Sequence, residues 1–381
     1  MSVYIHHIET LVPEHGYRQE VLSAQMENWL TDPVGKRIAR QLFRRAGIER
    51  RYSVLPDFTP DAERAELFRV GPDGHRVDPS TQERNRVFIR RANELSVEVA
   101  RRTLQNAGGF RAADITHVIT VSCTGFYNPG PDYRIVTELG LSPSTERYHV
   151  GFMGCYAAFP ALRMAQQFCQ AQPDAVVLVV CLELCSLHLH VQPDHDTLLA
   201  NAIFSDGVAA AIVSARAPSG RRPALALRQF FSALAPEGRG DMAWEIGNSG
   251  FNIVLSSYVP DIIAANIPGI IEDLFAGSDW LPDEVDRWAV HPGGKAILDK
   301  LETALALRPE QLAASRATLR DCGNMSSATV LFVLKNLLAA NSADLQRICA
   351  MAFGPGLTVE TGLLELVPAR QPAPAAELVT A

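Results

Sequence analysis

Three segments of this 381-residue chain carry side chains able to act together as nucleophile, base and hydrogen-bond donor. Cys155 lies in GFMGCYAAFPALRMAQQF, where glycines precede a run of helical period, so its thiol is expected at a strand-to-helix turn. The partial positive charge and free amides of a helix N-terminus favour a thiolate. An unassisted cysteine of pKa near 8.5 is only about 3% thiolate at pH 7, and a shift down of two units, about 2.7 kcal/mol, makes the reactive form dominant. His291 ends a strand candidate in WAVHPGGKAIL and meets a Pro-Gly-Gly turn, where side chains are displayed. Asn324, in DCGNMSSATVLFVL, follows Gly323 and opens another helical run. Each residue alone has a plainer reading, as a small core thiol, an incidental histidine and an N-cap. Their joint presence carries the chemical reading.

The elements that must position them alternate. DITHVITVSC, AVVLVVCLEL and GVAAAIV are strand-like, and ALRMAQQFC is helical, which implies an α/β architecture with sheets covered by helices. The order recurs later: DRWAVHP is strand-like, ILDKLETALAL and SSATVLFVLKNLL helical, RICAMAF and ETGLLELV strand-like. Two similar halves, residues 1–220 and 221–368, are expected to divide in SARAPSGRRPALAL, whose Pro, Gly and Arg suit a surface connection. Residues 369–381 resemble a disordered tail, and GPDGHRVDPSTQERNR is expected as a loop before a helix at RANELSVEVARRTL.

Composition narrows the function classes. A hydrophobic fraction of 47%, a charged fraction of 20% and a net charge of -7 suit a globular enzyme without general attraction to nucleic acid. The longest apolar run, Ala175 to Leu182, is far short of the roughly 20 residues that span a bilayer, and the opening segment lacks a signal pattern. Seven scattered cysteines favour reduced thiols, so a cytoplasmic protein is expected. Cys181, Cys185, His188 and His190 could suggest zinc, but a strand from Val176 to Val191 would point the cysteines to one side and the histidines to the other, so no metal is expected.

The Gly-Cys helix start, the His-Pro-Gly-Gly turn and the Gly-Asn-Met-Ser-Ser helix start resemble those of chalcone synthase and its bacterial relatives, the type III polyketide synthases. The resemblance runs from about residue 4 to about residue 367 and includes PGPDY at 129–133 and FGPG at 353–356. It implies a thiolase fold, with two similar βαβαβαββ halves forming a layered α-β-α-β-α core. It implies that Cys155 takes an acyl group from a coenzyme A thioester, with His291 holding the thiolate as an ion pair. His291 and Asn324 would then meet the thioester oxygen of malonyl-CoA as carbon dioxide leaves, an oxyanion-hole effect worth roughly 3 to 4 kcal/mol per donor. No metal or organic cofactor is implied.

By the same resemblance, Phe204 and Phe251 are gate residues, and Cys123, Cys185, His188 and Ser326 shape the cavity. Gly354, Pro355 and Gly356 form the loop that scaffolds cyclisation. Arg37, Arg40, Arg44 and Arg45, on or near one helical face, would meet coenzyme A phosphates. A homodimer is implied. One departure is Phe159-Pro160, where plant members have Gly-Gly, which bears on cavity shape. ELCSLHLH and SCTGFYNPGPDY look more like alkylresorcinol and alkylpyrone synthases, implying acyl-CoA and malonyl-CoA substrates with a fatty starter. The alternatives are a synthase of naphthalene or phloroglucinol rings from malonyl units alone, in whose relatives Cys123 also occurs, and a single-condensation ketoacyl synthase.

Overall fold

The computed structural model describes residues 1–59, 65–71, 76–340, 342 and 344–369. The tail expected at 369–381 lies outside the described residues from position 370 onward. Nine strands form one mixed hydrogen-bonded sheet: β1 (Val3–Leu11), β2 (His117–Ser122), β3 (Glu146–Gly151), β4 (Val176–Leu184), β5 (Asp206–Ser214), β6 (Ala224–Leu234), β7 (Arg287–Val290), β8 (Gln346–Gly354) and β9 (Thr358–Val367). The order is β7-β8-β9-β6-β1-β5-β4-β2-β3.

That order is two copies of one pattern. From β1 outward stand the last, penultimate, second and third strands of the first half, β5-β4-β2-β3; from β6 outward stand the last, penultimate and second strands of the other, β9-β8-β7. The copies join where Val3–Ile5 pair with Leu225–Leu227. The second half has no counterpart of β3 among the described residues; helix Ala313–Cys322 stands there instead.

Side-chain alternation sorts the core into layers, because successive residues of a strand face opposite ways. Val177, Val179 and Cys181 of β4 face a central cluster, while Val176, Leu178, Val180 and Leu182 face an outer one with Phe88, Val97 and Ala100 of helix Thr81–Asn106. Ile348, Ala350 and Ala352 of β8 face the same central cluster, and Cys349, Met351 and Phe353 face the opposite outer one with helices Val259–Ala276 and Lys295–Ala304. Helices Ala158–Ala171 and Thr329–Ala339 fill the centre. The two halves of the one hydrogen-bonded sheet thus face each other's central helices as two layers, and helix, sheet, helix, sheet, helix is the layering of the thiolase fold.

Two local expectations change. The polar run after Gly71 gives way to helix at Thr81, because Ser80 and Glu83 form a reciprocal capping box. The strand expected to reach Val191 ends at Leu184, and Cys185–His188 form a single tight turn, so alternation does not decide where the two histidines point. Among the described residues no helix is long and apolar enough to cross a membrane.

Candidate active site

Cys155 follows β3 across a turn with Phe152 at φ 58° and Gly154 at φ 89°. A Cβ on Gly154 would lie 2.3 Å from Pro355 Cδ, and one on Gly354 would lie 2.4 Å from Tyr156, so the loop Gly354-Pro355-Gly356 rests directly on the nucleophile turn. Helix Ala158–Ala171 begins only three residues after Cys155. The helix charge decays within about one turn, and burial dominates instead. Burial pushes the thiol up to about 11, with Ser326 and Asn324 hydrogen bonding against it and the Glu183 carboxylate adding to it. Burial thus acts against the thiolate that a helix terminus favours.

His291 follows β7, its N–H donating to Met351 O at 2.8 Å. The ring is buried, and neither Nδ1 nor Nε2 has a partner. Burial lowers its pKa to about 3, so the neutral imidazole, with one N–H donor, is the resting form.

Asn324 is oriented without ambiguity. Its Oδ1 accepts from Ser326 N at 2.9 Å, and its Nδ2 donates to Gly293 O at 3.2 Å, in the His-Pro-Gly-Gly turn. An amide nitrogen carries two hydrogens, so the second is turned to the Cys155 side of the cavity, where a ligand oxygen would compete for it. The preceding Gly323 has φ 71°, and a Cβ there would lie 2.8 Å from Arg51 Cγ. The Asn324 backbone is pinned beside Phe204: its N–H donates to Ile203 O at 2.9 Å and its O accepts from Ser205 N at 2.8 Å.

One cavity is lined by Cys155, His291 and Asn324 together with Cys123, Cys185, Phe204, Ser326 and Pro355, its remaining walls mostly apolar. Residues 136 and 169 positions from the nucleophile thus meet around one space. A second cavity adjoins it, lined by Cys185, Phe204 and His188 and by residues of the first two helices, Gln19–Trp29 and Pro33–Arg45. Phe251, expected as a gate beside Phe204, lines neither. Its ring stacks on His188 at 3.9 Å and its N–H donates to His188 Nδ1 at 3.2 Å, so it acts as backing for that histidine. His188 Nε2 donates in turn to Thr124 O at 2.7 Å, and burial lowers its pKa to about 3.

The four arginines separate. All are exposed on or at the end of helix Pro33–Arg45, but only Arg40 and Arg44 line an open cleft with Arg18, Arg50 and Tyr52. Arg40 is held by Glu27, its Nε donating at 3.1 and 3.2 Å. Arg37 and Arg45 do not line the cleft.

Glu183 is the residue that sequence reading passed over. It is wholly buried, accepting from Cys123 N at 3.0 Å, Thr124 Oγ1 at 2.9 Å and Ser327 Oγ at 2.5 Å. Burial raises its pKa to about 7 despite those donors. The available signal was a lone carboxylate inside the apolar run AVVLVVCLEL, since an acidic residue is rarely buried without a reason.

The model of the chalcone and stilbene synthase C-terminal domain matches residues 226–368, and that of the N-terminal domain matches residues 30–217. The alpha-pyrone synthesis polyketide synthase-like protein Pks18 of Mycobacterium tuberculosis is 33% identical over 300 residues, covering 77% of this chain and 76% of the relative. Bisdemethoxycurcumin synthase of Oryza sativa subsp. japonica is 35% identical over 343 residues, covering 86% and 82%. Among solved structures, PKS-I of the brown alga Ectocarpus siliculosus superposes with a TM-score of 0.87 at 31% identity, covering 96% of this chain and 99% of that one. The 1,3,6,8-tetrahydroxynaphthalene synthase of Streptomyces coelicolor gives 0.84 at 31% identity, covering 97% and 100%. With both family domains matched in order and the same fold recovered over nearly the whole length, the chain belongs to the chalcone and stilbene synthases, the type III polyketide synthases, which are acyltransferases that condense malonyl-CoA with loss of carbon dioxide.

Proposed function

We propose that Cys155 carries the acyl chain while His291 and Asn324 promote decarboxylation of malonyl-CoA, in repeated rounds that end in cyclisation. The supporting observation is the meeting of a thiol, an unpartnered imidazole and an amide with one N–H turned to the thiol around one cavity. Burial opposes the thiolate and the imidazolium taken singly, so both charges arise together as the Sγ proton passes to His291, and their mutual attraction in an apolar site offsets desolvation. The thiolate attacks the starter thioester, and the coenzyme A sulfur leaves with that proton. Neutral His291 and Asn324 then each offer one N–H to the thioester oxygen of malonyl-CoA. The carboxylate carbon–carbon bond breaks, its electron pair enters the enolate, and the enolate carbon attacks acyl-Cys155, expelling the Cys155 thiolate and leaving the lengthened chain on coenzyme A; attack by that thiolate reloads the chain and releases coenzyme A for the next round. Charge is met by side-chain donors throughout, and we assign no metal or organic cofactor a step.

For the starter we favour a medium or long fatty acyl group, cyclised to an alkylpyrone or alkylresorcinol. The mostly apolar walls and the similarity to a protein named for alpha-pyrone synthesis support this. A second reading, an aromatic product from malonyl-CoA alone, is favoured by Cys123 on the cavity wall and the similarity to tetrahydroxynaphthalene synthase. The test is to supply malonyl-CoA with acetyl-, hexanoyl-, decanoyl- and aromatic acyl-CoA and identify products by mass spectrometry. Alkylated products formed fastest from decanoyl-CoA support the fatty starter; a dominant product independent of added acyl-CoA supports the second reading.

A further inference from the structure

Arg84 stands in the first turn of helix Thr81–Asn106, wholly buried, and lines neither cavity nor the open cleft. A cation there is opposed twice, by desolvation, which pulls its pKa down to about 10, and by the positive end of the helix. Its hydrogen bonds explain the placement. Nε donates to Pro79 O at 2.9 Å, Nη2 to Asp78 Oδ1 at 2.7 Å, and Nη1 to both Leu187 O and Leu189 O, at 2.5 and 3.0 Å. The hairpin of Met242–Gly247 and Gly250–Leu255 closes on the same group. A Cβ on Gly250, whose φ is 114°, would lie 2.9 Å from Arg84 Nε, and the Thr81 N–H ties the hairpin turn to the helix start by donating to Asn248 O at 2.8 Å.

Two routes run from this guanidinium to the reaction cavity. The carbonyls on Nη1 flank His188, so the fork fixes the backbone on either side of that ring. His188 accepts from Phe251 N–H at Nδ1 and donates to Thr124 O from Nε2, a pairing that only one neutral tautomer satisfies. Burial keeps the ring neutral, and the Arg84 charge adds to that. On the hairpin, Trp244 Nε1 donates to Cys123 O at 3.2 Å. The turn and the hairpin thus hold two consecutive carbonyls, while Glu183 accepts from the N–H of Cys123 and the hydroxyl of Thr124. Both residues line the reaction cavity. His291 and Asn324 are anchored elsewhere, on the carbonyls of Met351, Gly293 and Ile203.

We propose that Arg84 is a positioning residue for the cavity wall at Cys123 and Thr124, and that it governs how many extensions precede ring closure while leaving decarboxylation alone. The inference rests on the iterative reading given above. A growing chain folds against that wall, so a displacement of the two residues changes which length fits, whereas enolate formation draws on His291 and Asn324. A lysine in place of Arg84 keeps the charge, but as a point donor it cannot span Asp78 and three carbonyls at once.

The test compares Arg84→Lys and Asp78→Ala with the unaltered protein, given malonyl-CoA alone and malonyl-CoA with decanoyl-CoA. Carbon dioxide release is measured in the first case, and the ratio of products one malonyl unit apart is read by mass spectrometry in the second. We expect release within twofold of the unaltered protein in both variants. The product ratio should shift at least fivefold in Arg84→Lys and at least twofold, in the same direction, in Asp78→Ala. The Asp78 side chain is 52% exposed, so its truncation frees Nη2 without opening the core, and it decides alone should Arg84→Lys fail to fold. An unchanged ratio in the deciding variant, or one that moves only with an equal loss of carbon dioxide release, overturns this inference and leaves the iterative reading standing. Unaltered protein that adds one malonyl unit and stops overturns the iterative reading, and this inference with it.

Discussion

At His291 a buried imidazole keeps both ring nitrogens without a partner, a condition that costs about 1 to 3 kcal/mol per unmet group and that a substrate oxygen or a thiol relieves. Its influence on Cys155 is measurable. In His291→Ala the thiol keeps only the burial that pushes it up, so its alkylation by iodoacetamide at pH 7 should slow at least tenfold; an unchanged rate contradicts the proton transfer between them. Asn324→Ala should lower carbon dioxide release from malonyl-CoA about 10²- to 10³-fold, the loss typical of one oxyanion donor. Glu183 gives a third prediction. Its carboxyl ionises near 4.5 when unfolded and near 7 when folded, so the native state binds the proton more tightly and stability falls as pH rises between those values. The difference is roughly 3 kcal/mol. Thermal midpoints of Glu183→Gln should therefore gain on the unaltered protein between pH 5 and pH 8, and parallel curves would exclude the assignment.

Helix starts and turns bring these residues into register. Gly154→Ala would force a Cβ to within 2.3 Å of Pro355 at a φ of 89°, so the loop resting on the nucleophile turn must move. Expected outcomes are a lower melting temperature and slower acyl loading by intact-protein mass spectrometry; normal loading would show that the loop does not set the thiol. On helix Pro33–Arg45, Arg40 is engaged by Glu27 whereas Arg44 lines the cleft, so Arg44→Ala should raise KM for coenzyme A esters more than Arg40→Ala does, with kcat little changed. Equal, unchanged KM values would return both to a solvated face. The strands around the site were legible because their apolar runs are bounded by turn formers, as at His117–Ser122 and Arg287–Val290. Helix Val259–Ala276 was not, since Pro260 near its start and Pro268 within it read as breakers. The hairpin carrying Trp244 also escaped notice, because its alternation is short and one face is exposed.

Across the whole molecule, the recurrence of strand order around β1 and β6 explains why Cys155 and Asn324 occupy related places, each after a turn leading into one of the two central helices. That recurrence was visible in the sequence as a repeated order of strand and helix. The cavities were not, since their walls are built from residues far apart in the chain, such as Met26, Cys185 and Trp244. Nor was the burial that opposes the thiolate and the imidazolium taken singly, which depends on packing. Division of labour between the two halves is the central claim: the first carries the acyl chain, and the second stabilises the enolate. The most direct measurement is carbon dioxide release and product formation by Cys155→Ala given malonyl-CoA and decanoyl-CoA. Continued release of carbon dioxide with no acyl adduct and no polyketide is the expected result; normal polyketide from the alanine variant would contradict it.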